Sequence, residues 1–273
     1  MTQEPSAVAA SLRWDTAPAR RRHILEAVEH SGFISVSDLT LRLGVSDMTI
    51  RRDLRKLAQQ GRVRVVHGGV SALGGWIHSS AFTSRADLNS GAKQVIGEAA
   101  AAGIPDAATV AIDAGTTPYA AALALRPTFR GTVVTHSVPV MQLLLNRGVG
   151  KVVGLGGDLL LESQAFVGPR TVEATAGLRV GQLLLGAAAA DEHGIYVTTD
   201  NERPTKLAMM GIASSVVLLV DSAKFSAPAP VLLCGWDAIS QVVTEALPPA
   251  RIARVLAEHA IRLTVPEVGP EGP

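Results

Sequence analysis

The chain has a single cysteine, Cys234, so a disulfide within it is impossible and the paired-cysteine spacing of a structural zinc site is missing. Set in the apolar run VLLC, Cys234 reads as a buried strand residue. No apolar run approaches the roughly 18 residues that a bilayer span needs, and no charged start is followed by an apolar stretch and a cleavage site. A membrane partner is therefore not expected, and a cytoplasmic protein is. No metal or cofactor is expected either. A strong charge of one sign is also lacking, because the net charge is only +1.

That near balance hides an asymmetry. Residues 1–75 hold 11 basic against 7 acidic side chains, and the remainder holds 14 against 17. Only the front of the chain is basic, which fits a polyanionic partner for that part. At 273 residues and 47% apolar composition, one small and one medium domain can each bury a core.

The basic front carries SDLTLRLGVSDMTIRRDLRK, Ser37 to Lys56. Its spacing predicts a helix over Ser37–Leu43, capped by Ser37 and ended by Gly44. A second helix is expected to be capped by Ser46 and stopped at Gly61. Ile50, Leu54 and Leu57 fall at i, i+4 and i+7, forming one buried stripe. Thr49, Arg52 and Lys56 then project from the opposite side, flanked by Met48, Arg51 and Arg55. Such a face fits a major groove about 12 Å wide, where arginine can make two hydrogen bonds to guanine and Thr49 or Met48 can touch thymine methyls. Asp53 reads as a partner for a neighbouring arginine. In GRVRVVHGG the alternating valines predict two short strands closing on Gly68 and Gly69. Arg62, Arg64 and His67 are there to meet phosphates or the minor groove, although a solvated or structural His67 fits equally. Upstream, Arg20–His30 reads as the first helix of this domain, with three leading arginines placed to flank a DNA backbone.

The run RRHILEAVEHSGFISVSDLTLRLGVSDMTIRRDLRKLAQQGRVRVVHGGV resembles the winged helix-turn-helix of DeoR-type bacterial transcriptional regulators. Its SDMTIRRDL and VHGGV runs carry the likeness most specifically. The resemblance implies that Thr49, Arg51 and Arg52 contact DNA.

Residues 73–90, with their glycines, serines and broken periodicity, read as a linker that Trp76 and Phe82 tack onto the second domain. From Gly91 onward a helix-then-strand rhythm predicts strands at Thr109–Ile112, Thr132–Thr135, Lys151–Leu155, Leu183–Ala187, Val216–Val220 and Gln241–Thr244. Several are apolar without alternation, as strands covered on both faces are, so an open, mostly parallel α/β sheet is expected. Ligands bind such sheets beyond the carboxyl ends of the strands. There the chain places Asp113, Gly115, Thr116 and Thr117, a turn at a helix start suited to phosphate. Thr135, His136 and Ser137 follow the second strand, and Gly156 and Gly157 the third. The glycines equally suit a tight turn, Ser137 a helix cap and His136 a structural role. Glu202 and Lys206 have the spacing of a helical ion pair. Lys206, Asp221 and Lys224 are nevertheless candidates to meet an anion.

This second region resembles the DeoR-type sensor domain, similar in fold to ribose-5-phosphate isomerase and glucosamine-6-phosphate deaminase. IDAGTT, VVTHS, GLGGDL and VDSAKF carry the likeness. The chain departs from the family pattern at His136, Gln182, Leu184 and Glu245, and over Ala187–Val197. The expected layout is a flexible tail at 1–18, a winged helix-turn-helix at 19–72, the linker at 73–90, an effector-binding α/β domain at 91–266, and a tail at 267–273. The resemblance implies a repressor whose partners are a double-stranded operator and a phosphorylated sugar or related metabolite. A homo-oligomer, dimer or tetramer, would set two reading helices about 34 Å apart. An active sugar-phosphate isomerase or deaminase fused to a DNA-binding domain is the alternative. It needs a base within reach of substrate carbon, which no spacing here enforces.

Overall fold

A computed structural model of the chain describes residues 16–31, 33–66, 69–72 and 80–266. Trp14, His67, Gly68 and Trp76 lie outside these residues. The chain divides into two compact units, Met1–Ser80 and Ala81–Pro273.

The first unit holds α1 (Ala17–Ser31), β1 (Phe33–Ser35), α2 (Val36–Leu43), α3 (Asp47–Gln59), β2 (Val63–Val66) and β3 (Gly69–Ala72). The strands form an antiparallel sheet in the order β1-β3-β2, with Val66 paired to Gly69 as a wing requires. Ile24 and Val28 of α1, Leu39 and Leu43 of α2, and Ile50, Leu54 and Leu57 of α3 share one core with Val63 and Val70. Two boundaries differ from expectation. α1 begins at Ala17, inside the stretch read as a tail, and α2 is capped by Ser35 rather than Ser37. Ser35 sits extended at the end of β1 and accepts the Asp38 amide at 3.0 Å, while Ser37 lies already within the helix. Gly44 ends α2 in the left-handed region, φ 64°. At the end of α3, Gly61 also has φ 64°; its amide and that of Arg62 return to the Ala58 and Leu57 carbonyls, a glycine-dependent stop.

The second unit opens with α4 (Ser80–Asp87) and α5 (Ser90–Ala102). α4 occupies much of the stretch read as a linker; its Phe82 is buried and meets Tyr119 edge-on at 5.9 Å between ring centroids. There follow β4 (Thr109–Ile112), α6 (Thr116–Leu123), β5 (Thr132–Thr135), α7 (Val138–Arg147) and β6 (Lys151–Gly154). β7 (Asp158–Leu160) and β8 (Ala165–Val167) form a separate antiparallel ribbon. Then come α8 (Pro169–Glu173), β9 (Gln182–Gly186), β10 (Ala189–Asp191), β11 (Gly194–Val197), α9 (Arg203–Gly211) and β12 (Val216–Leu219). β13 (Val231–Cys234), β14 (Gln241–Val243), α10 (Ala250–Glu258) and β15 (Arg262–Thr264) complete the unit.

Seven strands make one sheet in the order β15-β14-β12-β9-β4-β5-β6, every neighbouring pair parallel. Both faces are buried. Along β12, Val216 and Leu218 point into the core with Met209 of α9 and Ile252 of α10. Val217 and Leu219 point into the core with Ile96 of α5, Ala121 of α6 and Leu144 of α7. That double burial is why the strands are continuously apolar. Chain order runs from β4 outward to β5 and β6, then returns to β9 on the other side of β4. The cleft outside the carboxyl ends of β4 and β9 is therefore the topological switch point.

Candidate functional site

On the first unit, Ser46 caps α3 by accepting the Thr49 amide at 3.3 Å, and its hydroxyl lies 2.9 Å from that of Thr49. Arg52, Arg55, Lys56 and Arg62 are exposed, and Met48 is 77% exposed on the same helix. Thr49, Arg52, Arg55 and Lys56 line one concave face together with Arg20 and Arg21. Arg51 is folded back onto Asp47 in an ion pair, with a second contact at 3.2 Å. Arg64 is on β2, and His67 lies outside the described residues. Asp53 does take arginine partners, but from α1: Arg20 Nε donates to it at 2.6 Å, and Arg21 Nε lies 3.7 Å away. Arg20 and Asp53 are both buried. Arg20 and Arg21 thus brace α1 against α3, while Arg22 is exposed.

On the second unit, the switch point holds a cationic pocket. Its walls include Gly115, Thr116 and Thr117 at the start of α6, Lys206 of α9, and Asp221 and Lys224 beyond β12. Gly115 precedes α6 with φ 142° and supplies no side-chain cap, so the first-turn amides lack a partner from within the helix. An anion there meets aligned N–H groups and the positive end of the helix.

Behind the wall lies a buried charge network. Asp113 Oδ2 accepts the Lys206 ammonium and the Gly186 amide, the latter at 2.9 Å, and Oδ1 stands 3.0 Å from His136 Nε2. Burial by itself would raise the Asp113 pKa; Lys206 and then His136 outweigh it and hold the carboxyl below its ordinary value. His136 Nδ1 lies 2.8 Å from the Phe166 carbonyl, which can only accept, so Nδ1 donates there, and Nε2, the nitrogen that faces Asp113, also stands 3.1 Å from the Ala114 amide nitrogen. Lys206 pairs with Asp113 and not with Glu202 four residues earlier, correcting the helical ion pair expected from spacing. β9 brings Gly186 beside Asp113, and that closer, drier carboxylate wins.

The remaining candidates have structural tasks. Thr135 donates to the Ile112 carbonyl at 2.6 Å and accepts the Ser137 amide at 3.1 Å. Ser137 caps α7, accepting the Val140 amide at 3.4 Å. Both are fully buried, as is His136. Gly156 gives its carbonyl to Thr171, 2.8 Å, and a side chain at Gly157, φ 151°, would run into the Thr171 hydroxyl. Neither glycine reaches the pocket. Arg85, Lys93, Ser163 and Glu202 do line it without having been singled out as site residues. Lys93 carried a legible signal, since it falls at i, i+3 and i+7 with Ile96 and Ala100 on the buried stripe of α5. Arg85 and Ser163 had none.

A winged helix-turn-helix joined to an α/β sensor body defines a DNA-binding transcriptional regulator. Residues 20–74 match the DeoR-like helix-turn-helix domain and residues 88–246 the DeoR C terminal sensor domain. The chain is 31% identical over 246 residues to the HTH-type transcriptional regulator YgbI of Escherichia coli, spanning 90% of this chain and 96% of that one. It is equally 31% identical to the glycerol-3-phosphate regulon repressor of the same organism, spanning 89% and 97%. Among solved structures, ribose 5-phosphate isomerase A from Neisseria gonorrhoeae overlays with a TM-score of 0.37 at 16% identity, covering 48% of this chain and 52% of that one. The chain belongs to the DeoR family of transcriptional regulators. No helix among the described residues is long and apolar enough to cross a membrane.

Proposed function

We propose that the protein is a repressor of carbohydrate or nucleoside genes whose second unit binds a phosphorylated sugar and is not an enzyme. Arg52, Arg55, Lys56 and Thr49 face operator bases and phosphates, and Arg62 with Arg64 and His67 of the wing meets the backbone. The carrying observation is the convergence of Arg85, Lys93, Lys206 and Lys224 with the uncapped first turn of α6 in one pocket. Arg85, Lys93 and Lys224, with Lys206 already paired to Asp113, face two wall carboxylates, Glu202 and Asp221, and suit a phosphate ester whose sugar hydroxyls can donate to those carboxylates. Relatives named as a glycerol-3-phosphate regulon repressor and as repressor GlcR support the same class of ligand. Against catalysis stands Asp113, fully buried with its oxygens committed to Lys206, Gly186 and His136, which leaves it unsuited to take a proton from substrate. A homo-oligomer, dimer or tetramer, presents two copies of α3 to repeated half-sites.

The test is operator binding by fluorescence anisotropy with and without ribose 5-phosphate, glucose 6-phosphate and glycerol 3-phosphate. At least one ester is expected to change operator affinity. Thr116→Ala with Lys224→Ala is expected to keep operator binding and lose that response; an unchanged response in the double variant rejects the pocket, and turnover of any ester rejects the non-enzymatic reading.

A further inference from the structure

Ser163 stands in the turn between β7 and β8, an antiparallel ribbon outside the parallel sheet. It is only 5% exposed, and its hydroxyl has no hydrogen-bond partner among the described residues. A buried hydroxyl left in that condition costs free energy, so Ser163 calls for a group that satisfies it. Ser163 lines the same pocket as the cations. The adjoining residue ties this turn to α4, because Arg85 donates to the Glu162 carbonyl at 2.9 Å. Lys93 in turn donates to the Arg85 and Leu88 carbonyls at the end of α4. The turn, the end of α4 and the start of α5 are thus knitted together around one unsatisfied hydroxyl.

We propose that Ser163 is a specificity-determining residue of the effector site, its hydroxyl exchanging a hydrogen bond with a sugar hydroxyl while the lysines and the first turn of α6 hold the phosphate. The inference rests on the phosphate-ester reading of the pocket and deepens it. A neutral group that both donates and accepts matches an alcohol better than it matches a dianion that the pocket's cations already serve. The effector is then a polyhydroxylated phosphomonoester, long enough for an alcohol group to reach the β7–β8 turn, and inorganic phosphate lacks the group that Ser163 reads.

The experiment is calorimetric titration of the full chain with inorganic phosphate, glycerol 3-phosphate, ribose 5-phosphate and glucose 6-phosphate, for the wild type, Ser163→Ala and Ser163→Thr. The alanine variant is expected to lose about five- to twentyfold in affinity for the sugar ester that the wild type binds best, the weight of one hydrogen bond. Its affinity for inorganic phosphate should stay within about twofold, and the threonine variant should recover part of the loss because it restores the hydroxyl. The ligand-free Tm supplies the discriminating readout: deleting an unsatisfied buried hydroxyl leaves it unchanged or higher, whereas a merely structural serine would lower it. Equal affinities for the wild type and Ser163→Ala, a parallel loss toward inorganic phosphate, or a lowered ligand-free Tm overturns the assignment. If the wild type binds none of the esters, the phosphate-ester reading itself fails and the role of Ser163 falls with it.

Discussion

Lys93 is a cation on a stripe that its helix otherwise fills with Ile96, Gly97 and Ala100, and its environment shows in its acidity. Burial lowers its pKa from 10.5 to about 8; Asp221 and Asp87 oppose the drop, and Lys224 and Arg85 reinforce it. In the unliganded fold this is a cost. Between about pH 8 and about pH 10 the unfolded chain keeps a proton that the folded chain has lost, so this group makes stability rise with pH in that window. An anion seated beside Lys93 reverses the preference, because a neighbouring negative charge favours the ammonium. Binding of a phosphate ester near pH 8.5 is therefore expected to take up a substantial fraction of a proton, and binding near pH 6.5 almost none through this group. Titrations in two buffers of different ionisation enthalpy read that uptake directly. Lys93→Arg, charged throughout, should remove it, and an absence of uptake in the wild type would place the phosphate away from Lys93. The Asp113–Lys206 pair behaves differently, since each partner compensates the other's buried charge and loss of either leaves an unpaired ion.

At the scale of elements, α3 separates side chains that read from those that hold. Asp53 braces the helix through Arg20, Arg51 is occupied by Asp47, and Arg52 stands exposed on the concave face. Arg52→Ala is accordingly expected to weaken operator binding by about 1–3 kcal/mol with little effect on unrelated duplexes, as a base-reading arginine does. Arg51→Ala should cost less. Anisotropy titrations at one fixed salt concentration compare the two, and an equal loss for Arg52→Ala on operator and random DNA would make it a phosphate contact. The Ser46 cap, the glycine stops, the stripe of Ile50, Leu54 and Leu57, and the parallel strands were legible because each follows from local chemistry, periodicity or burial on two faces, whereas the cap of α2 lies two residues ahead of the serine that spacing predicts. β10 and β11 were not legible, because AAAADEHGIYV lacks the alternation that marks a half-buried strand, whereas the apolar run VLLC of β13 reads as strand through Cys234. The pocket was half legible. Thr116, Lys206 and Lys224 sit where a parallel sheet gathers its ligands, whereas Arg85 and Ser163 arrive through α4 and the β7–β8 turn, whose positions depend on tertiary packing. Gly156 and Gly157 resemble a ligand loop in sequence, yet Gly157 is required by the close approach of Thr171.

Over the whole molecule, two compact units with separate cores imply two separable folding transitions. The first unit buries a far smaller apolar cluster, so it exposes less surface on unfolding and has the shallower dependence on denaturant. The effector pocket is lined wholly by residues of the second unit. A phosphate ester at about 100 times its Kd should therefore raise the stability of the second unit by about 2.7 kcal/mol while leaving the melting of the free first unit in place. Operator DNA should do the converse, and its stabilisation should weaken steeply with added salt because Arg52, Arg55, Lys56 and Arg62 displace counterions from the duplex. Urea titrations can separate the units in a variant with Trp14→Phe and Trp76→Phe, by following the near-ultraviolet signal of Trp236, buried in the second unit, against helical signal from the whole chain. Two transitions, each moved by its own ligand, are the expected result. A single transition moved by either ligand alone would mean that the units unfold as one, and effector and operator would then be coupled through global stability instead of through a change in how one folded unit presents the other.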